Sequence, residues 1–279
     1  VFVEDLVRAA PVMKGWKFTA LKQASDIKDC NVQMKGYTFN GETLSFYSNE
    51  LADYPDEIDI TIIHKDYKEE AKEIFSGGAF IFLDNYLGEL NFINTIDNLT
   101  VIGPAQAKKE PVPASKMKDF LTWREKEFLE KYEGTRHDTV NDKYATMEGM
   151  LQNGKPIIAI VNTALLDWDR KASHPWILKI GIRYEGNNKT GMPDDNTHDL
   201  LNTFEEDISN QLKDADGYLN IGRQTSDNIR EIYYACKDFR KPSKILHQLT
   251  VSYKGSVDFL YDIYKDKYWR TFEHLRLNR

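Results

Sequence analysis

One stretch in the second half of the chain restricts the fold more than any other, because apolar and polar side chains alternate along it. The apolar residues stand at every second position: Trp176, Leu178, Ile180, Ile182 and Tyr184. Lys179 and Arg183 lie between them. Neighbouring side chains of a strand point to opposite faces of a sheet, so this spacing predicts a half-buried antiparallel strand.

The elements around this strand predict an α+β domain. An all-apolar run at residues 156–161 is typical of a central strand that is covered on both faces. Residues 218–225 and 229–237 predict a strand pair, and apolar residues at helical spacing predict helices over residues 196–213 and 242–255. A last strand carries apolar side chains on one face: Val257, Phe259, Tyr261 and Ile263. The order ββαββαβ predicts helices packed on a mostly antiparallel sheet.

The first half shows shorter strand patterns of the same kind. Residues 17–23, 32–39 and 44–48 are rich in β-forming residues, and Asn40-Gly41 between the last two predicts a hairpin turn. In residues 57–64 isoleucines alternate with polar residues. We therefore expect a strand there with one face in a core and the other mostly in water.

Further elements are predicted before residue 103. Asp66 is placed to cap a short charged helix that runs to Phe75 and ends at Gly77-Gly78. The continuous apolar run at residues 79–83 then predicts a buried strand, and residues 99–102 predict a last short one.

The length and the prolines indicate how the chain is divided. A chain of 279 residues typically forms about two domains. Prolines at positions 104, 111 and 113 hold the backbone extended. We predict an acidic N-terminal α+β domain over residues 1–103, a proline-rich linker over residues 104–114 and a C-terminal α+β domain over residues 115–279. A helix predicted over residues 115–132 either bridges the domains or belongs to the second.

Charge narrows the classes of partner. Residues 1–133 carry 16 basic and 23 acidic side chains, a net charge of −7, whereas residues 134–279 carry 21 of each. An acidic half and a neutral half argue against nucleic acid as a partner, because surfaces that bind phosphates are usually basic. No apolar stretch approaches the roughly 18 residues that a membrane span needs, so no membrane contact is predicted.

Two further features concern the compartment and the start of the chain. Cys30 and Cys236 lie far apart in different halves, which predicts a reducing, cytoplasmic environment. The first residue is Val1 rather than Met, so we expect that native sequence precedes it.

The motifs that usually carry chemistry are missing from the sequence. It contains no GxGxxG, GxxxxGK[ST], GxSxG, HExxH or CxxC, and its six histidines lack metal-ligand spacing. No catalytic residue, metal or cofactor is therefore predicted. The acidic run Glu205-Glu206-Asp207 lies in a predicted helix and is typical of a solvated face.

Two arginines are the first candidate binding residues. Arg223 has the side-chain parity of Leu219 and Ile221, and Arg230 has the parity of Ile232, Tyr234 and Cys236. Both parities predict side chains on core faces, at strand ends that approach each other. Two interpretations are open. Each arginine forms an ion pair with an acid such as Glu205 or extends its charge to solvent, or the two form a corner that binds an anion or a peptide.

Aromatic residues near the C-terminus are the second candidate. The group contains Tyr261, Tyr264, Tyr268, Trp269 and Phe272. Exposed aromatic rings can bind bases or peptides, but parity and spacing assign Tyr261, Trp269 and Phe272 to the core. Tyr264 and Tyr268 are then the exposed candidates for binding.

The second half resembles a known bacterial family, the domain of unknown function 695, over residues of about 123–277. The resemblance rests on short stretches spread along the domain: Gly154-Lys155-Pro156, His174-Pro175-Trp176, Gly191-Met192-Pro193, Glu205-Glu206-Asp207, Tyr218, Gly222-Arg223-Gln224-Thr225, Arg230-Glu231-Ile232-Tyr233-Tyr234, Asp266 and Tyr268-Trp269. The family has no established activity, so the resemblance implies no catalytic residue. Its members occur fused to a module similar to a protein regulator of ribonuclease E, which implies a regulatory or interaction role. The first half resembles the companion N-terminal region of such proteins.

Together these observations predict a non-enzymatic, cytoplasmic interaction or regulatory protein. Its acidic half would engage another protein, one with a basic surface. The alternative is an enzyme of unrecognised type, such as a hydrolase, with its site in the cleft between the two halves.

Overall fold

A computed structural model describes residues 2–276 of the protein. The expectation about sequence before Val1 concerns a residue outside this range. The chain divides into two compact units, with the boundary between Glu133 and Gly134. Both contain helices and mostly antiparallel sheets, so the predicted α+β class is confirmed. None of the helices within residues 2–276 has the length and apolar character to cross a membrane.

The first unit is organised around a four-stranded sheet. Its elements are α1 (Phe2–Ala9), β1 (Val32–Met34), β2 (Tyr37–Phe39), β3 (Leu44–Asn49), β4 (Asp59–His64), α2 (Lys72–Leu87), α3 (Glu89–Thr95), β5 (Asn98–Ile102), β6 (Val112–Pro113) and α4 (Met117–Tyr132). The strand order is β5-β4-β3-β6, and only β4 and β5 are parallel. Helices α2 and α3 connect these two parallel strands, as parallel strands require. Strands β1 and β2 form a separate hairpin.

The strand predicted at residues 79–83 is wrong, because this segment lies inside helix α2. Its buried residues recur at helical spacing: Phe75, Gly78, Ala79, Phe82, Leu83, Tyr86 and Leu87. Gly78 does not end the helix but lets the Phe39 ring approach it, since a Cβ at Gly78 would lie 2.2 Å from Cζ of Phe39. The helix ends instead at Gly88, whose φ of 83° is a backbone angle that glycine adopts readily and other residues rarely adopt. A continuous apolar run therefore marked a buried helix.

Other predictions for the first unit need correction. Residues 17–23 form no strand, and the hairpin turn is Lys35-Gly36 between β1 and β2 rather than Asn40-Gly41. Strand β4 has no wet face, because it lies between β3 and β5 and its residues 60–64 are all buried. The strands predicted at residues 44–48 and 99–102 are present as β3 and β5.

The division between the units lies later than the proline-rich stretch. Within that stretch, Val112 and Pro113 form β6 and pair with β3. Met117 and Leu121 of α4 are buried in the core of the first unit. The helix predicted over residues 115–132 therefore belongs to the first unit, because its apolar side chains pack there.

The second unit contains one six-stranded antiparallel sheet. Its elements are β7 (Tyr144–Met150), β8 (Pro156–Asn162), α5 (Thr163–Leu166), β9 (Trp176–Arg183), α6 (Asp195–Gln211), β10 (Tyr218–Ser226), β11 (Ile229–Cys236), α7 (Arg240–Ser252) and β12 (Asp258–Lys265). The strand order is β12-β9-β11-β10-β8-β7. The predicted order ββαββαβ is present from β8 onward, with β7 as an additional leading strand and α5 as an additional short helix.

The two faces of this sheet bury different cores. On the helical face, α6 and α7 pack against the four strands from β12 to β10, through residues such as Leu178, Phe204 and Leu246. On the opposite face, α5 and a 3-10 turn at Arg270–Leu275 cover a second cluster that includes Trp269 and Phe272. The prediction that these two aromatic residues are core is confirmed.

Strand β8 differs from its prediction as a central strand covered on both faces. It lies next to the edge of the sheet, and Ile157, Ile158 and Ile160 are only partly buried. No residue of β7 or β8 belongs to the cluster under α6 and α7. The two strands therefore extend beyond the helical layer.

Candidate functional site

A β-bulge determines where Arg223 points. The pairing of β10 with β11 shifts between Asn220 and Gly222, so β10 contains one extra residue there. Leu219 and Ile221 are buried on the opposite face, but Arg223 after the bulge contacts α6 on the helical face. The predicted shared face of Arg223, Leu219 and Ile221 is therefore wrong.

Gly222 makes this bulge possible. Its φ is 148°, and a Cβ there would lie 2.3 Å from the carbonyl oxygen of Ile160 on β8. No side chain fits at that distance, so the close approach of β8 requires glycine.

Arg230 lies where its parity predicts. It shares the helical face with Ile232, Tyr234 and Cys236, and β11 has a continuous register with β9. Its side chain is only 2% exposed. The pairing Thr225↔Arg230 and the bulge at Gly222 bring Arg223 and Arg230 onto the same face.

Both arginines contact one carboxylate. Nη1 of Arg223 lies 2.6 Å from Oε2 of Glu205, and Nη1 of Arg230 lies 4.0 Å from the same oxygen. Nη1 of Arg230 also donates to Oδ1 of Asn202 at 2.9 Å, and its Nε donates to Oγ1 of Thr225 at 3.3 Å. We refer to these five residues as the arginine cluster. The ion pair with Glu205, which was the first of the two interpretations from the sequence, is therefore present.

The arginine cluster has more positive charge than its carboxylate can balance. Two guanidinium groups face one carboxylate, which leaves a net charge of +1. Burial, and then the charge of Arg223, lower the pKa of the Arg230 guanidinium. A buried cation normally has its own partner, so this arrangement is typical of a position that accepts an anionic group.

A tightly packed pair of turns holds the end of the hairpin next to this cluster. Asp227 and Asn228 both have positive φ and connect β10 to β11. Gly191 packs against them, since a Cβ there would lie 2.5 Å from Cα of Asp227. The hydroxyl of Tyr184 donates to the carbonyl oxygen of Gly191 at 2.9 Å, and burial raises the pKa of Tyr184 to about 12. These contacts determine where β11 begins, and therefore the position of Arg230.

The structure does not bring the two candidate tyrosines to the arginine cluster. Tyr264 lies on β12 and packs with the cluster on the opposite face. Its hydroxyl donates to Oγ1 of Thr271 at 3.3 Å, and burial raises its pKa. Tyr268 follows β12 and is half-buried. Neither residue is exposed as predicted, because the turn at Arg270–Leu275 folds back over this end of the sheet.

Most of the second unit is similar to a known protein family. Residues 146–276 match the Family of unknown function (DUF695). The match covers slightly less than half of the chain and begins later than the predicted residue 123. It contains the whole arginine cluster and does not extend into the first unit. No curated protein and no solved structure matches the chain.

The region similar to DUF695 also holds a polar network that the sequence did not reveal. On the opposite face, the carboxylate of Glu231 accepts hydrogen bonds from Gln224 and from the hydroxyl of Tyr233, and it pairs with Nζ of Lys179 at 2.5 Å. Burial alone would raise the pKa of Glu231, but these three donors outweigh it and the pKa is lowered. A small pocket lies beside Gln224 and Tyr233, with Phe272 also in its lining. The one available signal was Glu231 itself, an acid within a buried strand.

A second unpredicted group lies partly before the DUF695 match. Nε2 of His137 lies 2.7 Å from Oδ1 of Asp142, whose other oxygen accepts from the Asn162 amide at 2.5 Å. The ring of Trp168 makes T-shaped contacts with the rings of His137 and His174, at centroid distances of 5.2 and 5.3 Å. Burial, then the charges of Lys237 and His137, lower the pKa of His174 to about 3. Distant loops bring these residues together, so no spacing in the sequence indicated them.

The acidic run in α6 is also only partly solvated. Glu206 is exposed, but Glu205 belongs to the arginine cluster and Asp207 accepts a hydrogen bond from the hydroxyl of Tyr253. The predicted solvated face therefore applies to Glu206 alone. A helix that lies on a sheet turns more than one side of its surface towards protein.

Proposed function

We propose that this is an interaction protein whose second unit recognises an acidic group of a partner protein at the arginine cluster. One observation carries the proposal: Arg230 is buried and shares a single carboxylate with Arg223, so two guanidinium groups face one negative charge. A carboxylate from an Asp or Glu side chain is planar and accepts bidentate hydrogen bonds from guanidinium, so it would balance this surplus positive charge.

The surroundings support a peptide rather than a small ion. Ile160 of β8 pairs with Arg223, and Thr146 of β7 pairs with Ile160, so the three lie in one row on the helical face. Ile160 is only partly buried and Thr146 is exposed. Beside Arg223 the sheet thus offers a short apolar and polar surface, on which the neighbouring residues of an acidic peptide can pack.

The first unit carries a negative charge, opposite in sign to that of the arginine cluster, and it offers a second surface for partners. All of the net charge of −7 lies in residues 1–133, and exposed acids such as Glu125 and Glu130 occur along α4. Such a surface attracts basic partners and accelerates their association. We propose that the protein works in the bacterial cytoplasm, because the buried free thiols of Cys30 and Cys236 support a reducing compartment.

Binding of labelled peptides tests the arginine cluster directly. The probe is a set of fluorescein-labelled hexapeptides in which each position in turn carries Asp, Glu, Asn or Gln. We expect the wild type to prefer an acid at one position. Arg223→Gln should weaken that preference about tenfold, since a charge-assisted hydrogen bond contributes roughly 1.5 kcal/mol. Glu205→Gln should strengthen it, because the competing carboxylate is removed.

The matched control is Arg240→Gln, which removes the same charge from an exposed pair with Asp238. It should bind the peptides like the wild type. Equal binding of acidic and amide peptides by the wild type contradicts the proposal, and so does an Arg223→Gln variant with unchanged preference. Circular dichroism of each variant confirms that it is folded.

A hydrolytic activity is the second candidate, and the His137–Asp142 pair favours it. Asp142 orients the imidazole through Nε2, while Nδ1 of His137 has no hydrogen bond to any residue that the structure describes. A neutral Nδ1 can accept a proton from an attacking water. We test this with p-nitrophenyl acetate and p-nitrophenyl phosphate. His137→Gln should abolish turnover and the exposed His274→Gln should keep it, whereas equal rates in all three proteins would exclude the activity.

A further inference from the structure

Strand β7 is an edge strand without a partner on its outer side. It pairs with β8 over all seven of its residues, and no other strand within residues 2–276 pairs with it. The register is continuous, with no bulge, and β7 contains no proline. Its outer backbone groups are therefore arranged in the form that another strand can extend.

The two edges of the sheet differ in how they are protected. The other edge, β12, carries three charged residues: Asp258, Asp262 and Lys265. Strand β7 has a single charge, at Glu148, while Tyr144 is 60% exposed and Met150 is 73% exposed. Proteins usually blunt a free edge with charges, prolines or bulges. An unprotected edge of seven residues, in a sheet whose opposite edge is protected, indicates that β7 is used for pairing.

We propose that β7 pairs antiparallel with β7 of a second copy of this chain. The two-fold axis then passes through Met147, so that Tyr144 faces Met150, Thr146 faces Glu148 and Ala145 faces Gly149. Each pair is chemically suited: a sulfur against an aromatic ring, a hydroxyl against a carboxylate, and two small residues side by side. Every pair also joins residues on the same face, as antiparallel strands require.

The sequence of β7 selects this register over its neighbours. Shifting the pairing by two residues in one direction places Glu148 directly opposite Glu148 of the copy, which is repulsive. Shifting it in the other direction leaves Gly149 and Met150 without partners in the copy. Only the register centred on Met147 uses the whole strand and keeps the charges apart. The strand that fits this edge best is therefore β7 of a second copy of the chain.

Sedimentation velocity over about a hundredfold range of concentration tests the proposal. We expect the full chain to shift from monomer to dimer as its concentration rises. Thr146→Glu places a carboxylate opposite Glu148 twice in the symmetric interface and should raise the dissociation constant about tenfold. The double variant Thr146→Glu/Glu148→Lys turns both contacts into ion pairs and should restore the dimer. Both substituted positions, Thr146 and Glu148, are exposed side chains on the edge, so the fold is retained.

Leu260→Glu provides the matched control, since Leu260 is 65% exposed on the protected edge β12. It should leave the dissociation constant unchanged. A wild type that stays monomeric at every concentration overturns the proposal. The proposal is also overturned if Thr146→Glu leaves the dissociation constant of the dimer unchanged, or if the double variant does not restore it. Hydrogen exchange gives a second readout: amides of residues 144–150 should become more protected as the dimer forms.

Discussion

The two faces of the β10–β11 hairpin each hold one largely buried carboxylate, but their surroundings differ. The side chain of Glu205 is 14% exposed and that of Glu231 is 20% exposed, so burial does not distinguish them. Glu205 faces the guanidinium groups of Arg223 and Arg230. Glu231 faces one ammonium group and two neutral donors.

This difference shows that a buried polar group has to be judged by the balance of charges and donors around it. The network of Glu231 is neutral in sum, and every oxygen of its carboxylate has a donor. The arginine cluster carries a surplus positive charge, because two guanidinium groups share one carboxylate. A saturated network mainly stabilises a fold, whereas an unsaturated one can accept a further group. The following experiments test whether the two faces really differ in this way.

The largest effect is expected from Gly222→Ala, which removes the bulge that places Arg223 beside Glu205. The added Cβ would lie 2.3 Å from the Ile160 carbonyl oxygen. We expect the free energy of unfolding in urea to fall by about 3 kcal/mol or more. Gly181→Ala is the control, because no atom lies within 4 Å of a Cβ there. Similar stabilities of the two variants would mean that the bulge is dispensable.

Glu205→Gln should have the next largest effect. It leaves two guanidinium groups without a counter-charge, one of them buried, and removing one partner of a buried ion pair costs about 3 kcal/mol. The measurement is again unfolding in urea. Addition of sulfate should return part of the lost stability to this variant more than to the wild type, since an anion can replace the carboxylate. A loss below about 1 kcal/mol would show that Glu205 does not balance the arginines.

Glu231→Gln should cost less than Glu205→Gln, about 1 kcal/mol. The amide oxygen still accepts from Gln224 or Tyr233, and Lys179 is 40% exposed and can turn to water. The ratio of the two losses is the most direct measure of the comparison. If the Glu231 variant is the less stable one, the assignment of the surplus charge to the helical face is wrong.

The smallest effect is expected from acid, and it should involve the opposite face. The pKa of Glu231 in the folded protein lies below its usual value of 4.5. Its contribution to stability is therefore complete above pH 4.5 and lost as the pH falls through the folded pKa. The unfolding free energy of Glu231→Gln should decrease less steeply below pH 4.5 than that of the wild type. Parallel curves would show that this carboxylate does not titrate with folding.

Much of the second unit could be predicted from its sequence, because its strands are half-buried and alternate. Arg230 was placed correctly since β11 pairs with β9 without interruption. Arg223 was placed on the wrong face because the bulge reverses which face the later residues of β10 point to. A bulge depends on how two strands pair, so the sequence of one strand alone does not predict it. Gly222 within a strand was the available warning, since glycine there often marks a bulge.

The elements that escaped prediction share a physical reason. Strand β7 is exposed on most of its surface, so no apolar alternation identifies it. Helix α2 is buried on several sides, and its apolar run is as compatible with a strand as with a helix. In both cases the hydrophobic pattern shows only which residues are buried. That pattern distinguishes a strand from a helix only when one face is buried and the other is exposed to water.

The strand order of the second unit has a consequence for how it is made. Strands β8 and β9 follow each other along the chain, yet β11 and β10 lie between them in the sheet. A nascent chain that ends before Tyr218 therefore has a β7–β8 hairpin and a β9 strand that cannot join it. The hairpin of β10 and β11, which is synthesised later, pairs with β8 on one side and with β9 on the other and so completes the sheet. Until it is synthesised, the ribosome-bound chain exposes unpaired strands to chaperones and to aggregation.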